Sequence, residues 1–204
     1  MRCNCRRLTI ALLLAFSAAR AMDEQGLLLQ GQVGVGHALS PKFLTTYWQS
    51  SVTFGGGFGV NVLEDKMAFF NYTNHAFNYS AGVVPSGFHA SAHEIVLSYK
   101  QFFPLERSPY RPFYHIGLGY VLLKSPDMYK ESEIIPGLID KSAQLEPMHT
   151  EDGLLLQAGV GLCYFFYEEQ SAITIELFST GSFMHPLPFT YVGGRCGVIF
   201  HLGD

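Results

Sequence analysis

Charge is scarce in this chain: charged residues fill only 15% of its 204 positions. The 13 basic and 17 acidic side chains leave a net charge of -4, so no strongly basic surface is available to hold nucleic acid. Long apolar runs are missing too. After the first 21 residues, no segment reaches the roughly 18 uninterrupted apolar residues that a membrane helix needs. This excludes a later helical span, but it does not exclude the membrane. A closed β-barrel crosses lipid with strands, because lipid satisfies no open strand edge. Cysteine is sparse: of four, Cys3 and Cys5 lie in the first segment, leaving Cys163 and Cys196. Strand parity sets these two on opposite faces. The expectation is two free thiols, since opposed Cβ directions cannot be bridged without moving backbone.

The first segment reads as an export signal. Arg2, Arg6 and Arg7 give a basic start, Leu8 to Phe16 an apolar run too short to span, and Ala19-Arg20-Ala21 a peptidase site. Residues 1–21 are therefore expected to be cleaved, leaving 22–204 as one domain.

What is abundant is alternation. In Val52-Thr53-Phe54-Gly55-Gly56-Gly57-Phe58-Gly59-Val60-Asn61-Val62, the residues Val52, Phe54, Phe58, Val60 and Val62 share one face. Thr53, the glycines and Asn61 share the other. Strand side chains have a period of two, so this writes a sheet with one apolar and one polar or hollow face. Eight such runs are legible: Leu27 to Gly36, Ser51 to Val62, Met67 to Tyr79, Glu94 to Phe103, Pro112 to Leu123, Leu154 to Phe166, Ala172 to Ser179 and Phe189 to Leu202. Each approaches or exceeds the roughly 9–11 residues a tilted strand needs to cross a bilayer. The phase is least clear across Phe69-Phe70-Asn71-Tyr72, where a bulge is the expected cause.

The connections after runs 1, 3, 5 and 7 are long or rich in proline and glycine: 37–50, 80–93, 124–153 and 180–188. Those after runs 2, 4 and 6 are short: 63–66, 104–111 and 167–171. Short turns at one end and long loops at the other are the habit of an outer-membrane barrel, with both termini on the short-turn, periplasmic side.

Orientation of the two faces decides the function. The polar face carries Glu94, Lys100, Glu176, Arg195, His115, Gln30, Gln32 and Gln157. A soluble core could not hold so many charges and amides without a large desolvation cost. A narrow lumen could, if the charges pair. The expectation is an all-β, eight-stranded antiparallel up-and-down transmembrane barrel in a bacterial outer membrane. Glu94, Lys100, Glu176, Arg195 and His115 should form a polar network that plugs its lumen. A soluble lipocalin-like ligand carrier, with the faces reversed, is the alternative. Aromatics near the strand ends are expected to form two interfacial girdles. Phe69, Phe70, Phe102, Phe103, Phe113, Tyr114, Phe165, Phe166, Tyr167 and Phe200 stand at the short-turn end. Tyr47, Trp48, Phe77, Tyr79, Phe183, Phe189 and Tyr191 stand at the other.

Three stretches then carry a family likeness: Arg111-Pro112-Phe113-Tyr114-His115-Ile116-Gly117-Leu118-Gly119-Tyr120, Leu156 to Phe165, and the closing Gly197-Val198-Ile199-Phe200-His201-Leu202. They resemble the fifth, sixth and last strands of the small outer-membrane barrels related to the OmpA transmembrane domain and the opacity-type surface proteins. That resemblance supports a fold more than an activity. A sealed barrel with four long loops is expected to have a structural or surface-recognition role, with outer-membrane lipids and lipopolysaccharide around it, and the acidic loop 124–153, with its apolar centre Ile134 to Ile139, is the candidate contact for a partner outside the cell.

No enzymatic activity, cofactor or metal is expected. The Pro-Phe…Gly-x-Gly strand is also similar to that of lipid A deacylases of the PagL type. In Glu176-Leu177-Phe178-Ser179-Thr180-Gly181, Ser179 is present but Leu177 stands where that family has its base histidine. A serine hydroxyl without a base is a poor nucleophile. His89-Ala90-Ser91-Ala92-His93 has a metal-like spacing only on a helix, and Pro85 and Gly87 make it a loop. Asn71-Tyr72-Thr73 and Asn78-Tyr79-Ser80 match glycosylation acceptors by accident if the protein is bacterial. The strand glycines are expected to relieve crowding in a small lumen.

Overall fold

The computed structural model describes residues 26–40, 48–79, 90–106, 108–126, 148–166, 170–184 and 188–202. The expected signal segment 1–21 and most of the expected loop 124–153 lie outside them. Eight strands follow one another: β1 Leu27–Ser40, β2 Trp48–Leu63, β3 Lys66–Tyr79, β4 Ala90–Phe102, β5 Tyr110–Pro126, β6 Met148–Phe166, β7 Ser171–Met184 and β8 Phe189–Leu202. Each pairs antiparallel with the next, and β8 returns to β1, with Leu27 opposite Leu202. The barrel is closed, so no strand edge is left for lipid to satisfy.

Burial runs inside out for a protein in water. Leu118, Val160 and Ile175 are 58%, 61% and 59% exposed, while Glu94, Lys100, His115 and Glu176 are almost wholly buried. A soluble carrier would reverse this, so the lipocalin-like alternative falls. The alternation that the sequence writes is kept in β4, whose side chains turn strictly in and out. It is kept in β6 and β7 as well: Leu154, Leu156, Val160, Ile173, Ile175 and Leu177 face out, and Leu155, Gln157, Cys163, Thr174 and Glu176 face in. Gly56 is an exception to the expected grouping in β2, because it shares the outward face with Phe54 and Phe58 by parity.

Two expectations about strand 3 and the strand ends need correction. No bulge interrupts Phe69-Phe70-Asn71-Tyr72. The β3–β4 register runs unbroken from Lys66 opposite Gln101 to Phe77 opposite Ala90. Phe69 and Asn71 simply face in, and Phe70 and Tyr72 face out. Most strands also run further toward the long-loop end than expected; β8 alone keeps its expected bounds. The reason is that polar residues there break the apolar pattern while the ladder continues, with Lys124 opposite Thr150 and Ser125 opposite His149. Backbone groups still gain by pairing beyond the lipid. The connections shrink accordingly, to 41–47, 80–89, 127–147 and 185–188. Only 80–89 and 127–147 remain longer than every connection at the opposite end, so the length sorting is weaker than the sequence suggests. The segment Ala90–His93, expected in a loop, is the start of β4.

Inside, large side chains and glycines are matched across strands. His115 pairs with Gly159 and Phe113 with Gly161. Phe178 pairs with Gly193 and Arg195 with Gly34. A methyl added at Gly159 would lie 2.5 Å from His115 Cε1, and one at Gly161 would lie 2.6 Å from Phe113 Cζ. Each glycine leaves the space its bulky partner fills, which is how eight strands enclose a lumen packed with rings and charges.

Candidate functional site

The lumen is stacked in three layers. At the short-turn end, Leu28, Met67, Phe69, Phe102, Phe113 and Phe165 form a buried apolar cluster with Cys163, Ala172 and Ile199. At the long-loop end, Phe77, Leu155, Phe178, Phe189 and Tyr191 form another with small and branched residues of β1, β4 and β5. Between them lies a polar layer. The barrel thus places its ionisable groups between two aromatic seals.

This corrects the girdle expectation. Phe69, Phe102, Phe113, Phe165, Phe77, Phe189 and Tyr191 are buried in the lumen, not set in the interface. Strand parity sends every second ring inward, whatever its height. The exposed rings at the short-turn end are Phe58, Phe70, Phe103, Tyr110, Tyr114, Tyr164 and Phe200. Toward the other end stand Tyr72, Tyr120 and Phe183. Tyr47 and Tyr167 lie outside the described residues.

Three of the five expected network residues, Arg195, His115 and Lys100, converge on a fourth, the Glu176 carboxylate. Arg195 Nε donates to Glu176 Oε1 at 3.0 Å, and Nη2 to the same oxygen at 2.5 Å. His115 Nδ1 is 2.8 Å from Oε1, and Lys100 Nζ is 3.5 Å from Oε2. Lys100 also sits against the faces of Phe69 and Phe113, 5.4 and 5.1 Å from their centroids. Ring faces are electron-rich and attract a cation, so the lower seal contributes to holding the lysine. Arg195 lies over Phe178 at 4.8 Å in the same way, toward the upper seal.

Glu94, the fifth residue, sits apart. The Tyr191 hydroxyl donates to its Oε1, and His75 Nε2 is 3.2 Å from its Oε2. From the first group a short chain of bonds leads away: Arg195 Nη2 donates to Gln157 Oε1 at 3.2 Å, and Gln157 Nε2 to Thr180 Oγ1 at 3.2 Å. Among the described residues, the buried permanent charges are therefore two carboxylates, Glu94 and Glu176, and two cations, Lys100 and Arg195. They balance. Glu176 meets both cations directly, whereas Glu94 is held by the Tyr191 hydroxyl and the His75 ring; contacts of this kind lower the penalty of a buried ion. The rest of the layer consists of shorter links, Gln30 to Gln32 to Thr73 at 2.9 Å each and Asn71 to Ser98 at 2.9 Å.

His75 escaped the sequence reading. It shares the inward parity of Asn71 and Thr73, and that was the available signal. Glu94 comes from the neighbouring strand β4, but Tyr191 comes from β8, and only closure of the barrel brings it to them.

The remaining candidates do not form a reactive centre among the described residues. Ser179 is exposed on the outer wall, and its cross-strand neighbours are Ala158 and Val192. Neither can serve as a base. Cys163 is buried in the lumen and Cys196 is exposed on the outer wall, both as free thiols, as parity implied. His89 lies outside the described residues, and His93 faces outward from β4. Of the expected loop 124–153, Lys124–Pro126 and Met148–Gly153 belong to β5 and β6.

No protein-family model and no curated protein sequence matches the chain. Solved structures do match. Neisserial surface protein A (NspA) superposes with a TM-score of 0.64 at 14% identity, over 87% of this chain and 97% of that one. The outer membrane protein OprG of Pseudomonas aeruginosa superposes with a TM-score of 0.51 at 12% identity, over 87% and 97%. At such identities the likeness is one of fold. The closed strand order, the hydrocarbon-clad exterior and the polar interior together make this chain an eight-stranded β-barrel of the small outer-membrane type.

Proposed function

We propose that this protein is a sealed outer-membrane barrel with a non-enzymatic role, carrying surface-exposed connections that meet a partner outside the cell. The observation that carries this reading is the three-layer lumen. A pore needs a continuous wet path, and here two aromatic layers bracket a charge-balanced one. An ion crossing from either side must pass a layer of apolar rings before it reaches the central charges, and dewetted constrictions of that kind block conduction. The seal leaves the exposed connections, 127–147 above all, as the part that differs most from a plain membrane plug. Lipopolysaccharide and other outer-membrane lipids are the partners of the outer wall. The segment 1–21 is the export signal, removed to leave 22–204 as the inserted domain.

Planar-bilayer recording tests the seal. The purified barrel is expected to give no steady conductance, and a stable open level would overturn the reading. Insertion of an epitope tag within 127–147 tests the orientation. Antibody on intact cells should bind it, and binding only after the envelope is broken would reverse the assignment of inside and outside. N-terminal sequencing of the membrane-inserted form should begin at Met22. A deacylase reading gains nothing from Ser179, whose neighbours are apolar on both sides.

A further inference from the structure

Near the long-loop end, the described part of the outer wall carries a polar group that the lumen does not explain. On β3 and β4, Tyr72, Asn74, Ser91 and His93 face outward near the long-loop end. His93 is their centre. Its Nδ1 is 2.8 Å from the Tyr72 hydroxyl and 3.0 Å from Asn74 Nδ2, and its Nε2 is 3.4 Å from Ser91 Oγ. Tyr72 also stacks on the His93 ring, with centroids 6.2 Å apart and planes at 23°.

The geometry orients the imidazole. The Tyr72 hydroxyl and the Asn74 amide both converge on Nδ1, which makes Nδ1 the acceptor and leaves the hydrogen on Nε2. The N–H therefore points to the Ser91 side. The cross-strand partner of Ser91 on the next strand is Lys124, exposed and outward-facing. The Nε2–H of His93, the Ser91 hydroxyl and the Lys124 ammonium are three donors on one patch. Asp152 is the nearby outward carboxylate, opposite Leu122 on the far side of β5 and diagonal to Lys124. Its charge keeps an anion to the β4 side of Lys124.

Depth tells what kind of anion fits. Below the patch the wall is exposed hydrocarbon: Phe70, Ile95, Leu97, Leu118 and Leu122. On β5 the apolar outward run from Tyr114 to Leu122 covers about 27 Å of strand. At a tilt near 40° that is roughly 20 Å along the membrane normal, close to the apolar band of an outer-membrane barrel. Lys124 comes next after Leu122 on that face. The donors thus stand where acyl chains end and headgroups begin.

We infer that His93, Ser91 and Lys124 bind a phosphate on the headgroup of a phosphorylated outer-leaflet glycolipid, lipopolysaccharide, whose acyl chains lie on the apolar wall beneath. Phosphate offers several acceptor oxygens and a negative charge, which suits one cation flanked by two neutral donors. The inference rests on the membrane reading above and names the contact point of the lipid partner.

The test uses the full barrel refolded in a non-ionic detergent, with lipopolysaccharide binding followed by native mass spectrometry. Unboiled gel mobility reports folding in every sample. The wild type should bind lipopolysaccharide about tenfold more tightly than Lys124→Ala or His93→Ala, from the loss of a charge-assisted hydrogen bond. Lys124→Arg should retain most of the binding. Dephosphorylated lipopolysaccharide should bind the wild type as weakly as the intact lipid binds the variants. Equal binding by wild type and folded variants would overturn the site, as would equal binding of the dephosphorylated lipid. Full displacement of the lipid by equimolar inorganic phosphate would reassign the donors to a soluble anion and overturn the lipid assignment. A wild-type chain that shows no heat-modifiable barrel would instead overturn the membrane reading beneath it.

Discussion

Arg195 on β8 and Glu176 on β7 are cross-strand partners, and their side chains meet at 2.5 Å inside the barrel. The same carboxylate serves Lys100 and His115 from two other strands. One acid thus ties β4, β5, β7 and β8 together across the lumen. Glu176→Ala leaves Lys100 and Arg195 facing no anion. Loss of one partner of a buried pair costs about 3–5 kcal/mol. The urea midpoint of the folded form, followed by unboiled gel mobility, should fall accordingly. The double variant Glu176→Gln with Lys100→Met should recover part of the loss. An unchanged midpoint for Glu176→Ala would show that the cluster carries no stability.

The glycine matching predicts a contrast between two alanines. Gly159→Ala drives a methyl toward His115, whereas a methyl at Gly181 meets nothing within 4 Å. Overpacking of this kind costs about 1–3 kcal/mol. Gly159→Ala should lower the urea midpoint, and Gly181→Ala should leave it within error. Similar effects from both would mean that lumen crowding does not limit the fold.

Hydrocarbon contact predicts a gradient with depth. Val160 lies midway along the outer face of β6, and Leu39 lies near the end of β1; both are exposed. Val160→Arg should destabilise the inserted barrel by about 2–4 kcal/mol, and Leu39→Arg by about 0–1 kcal/mol. Folding titrations into lipid vesicles measure both. Equal penalties would contradict the membrane band drawn here.

If each apolar layer seals by itself, a breach of one should not open the lumen. Phe102→Ala in the lower layer and Phe77→Ala in the upper should each stay silent in planar bilayers. Each removes a buried ring at a cost of about 3–5 kcal/mol. The combined variant is the one expected to leak. Steady current from either single variant would reduce the seal to one layer.

The two cysteines predict a labelling pattern. A lipophilic maleimide should modify Cys196 in the folded barrel within minutes. Cys163, enclosed beside the lower seal, should react only after boiling in detergent. Mass spectrometry of the labelled chain reads both, and early modification of Cys163 would show that the lumen is open to reagents.

Much of this architecture was legible from parity. Val160 against Gly161, or Ile175 against Glu176, already assigns each residue to a face, because a strand that divides lipid from lumen alternates strictly. The bounds of β8 emerged intact because Phe189 and Leu202 sit at both ends of its pattern. β6 was read short because Glu151 and Asp152 end the apolar rhythm while hydrogen bonding continues to Met148. In the lumen, the residues Glu94, Lys100, His115, Glu176 and Arg195 were found by charge on the inward phase. Their division into two groups was not, since it depends on which strands meet across the barrel. His75 reaches Glu94 from the neighbouring strand, but Tyr191 reaches it only because β8 curves round to face β4. The mistaken girdle residues have the same origin: a ring near a strand end says nothing of which way it points until its phase is counted.

The seam between β1 and β8 joins Leu27 to Leu202, positions from opposite ends of the described sequence. Every other ladder is a local hairpin that can zip as soon as two neighbours are present, but this one must await the entire chain. Until then both terminal strands carry unsatisfied amides, an invitation to aggregate. Such non-local pairing is slow to form. A newly made polypeptide of this design therefore needs an escort, and its assembly should end in a single committed step.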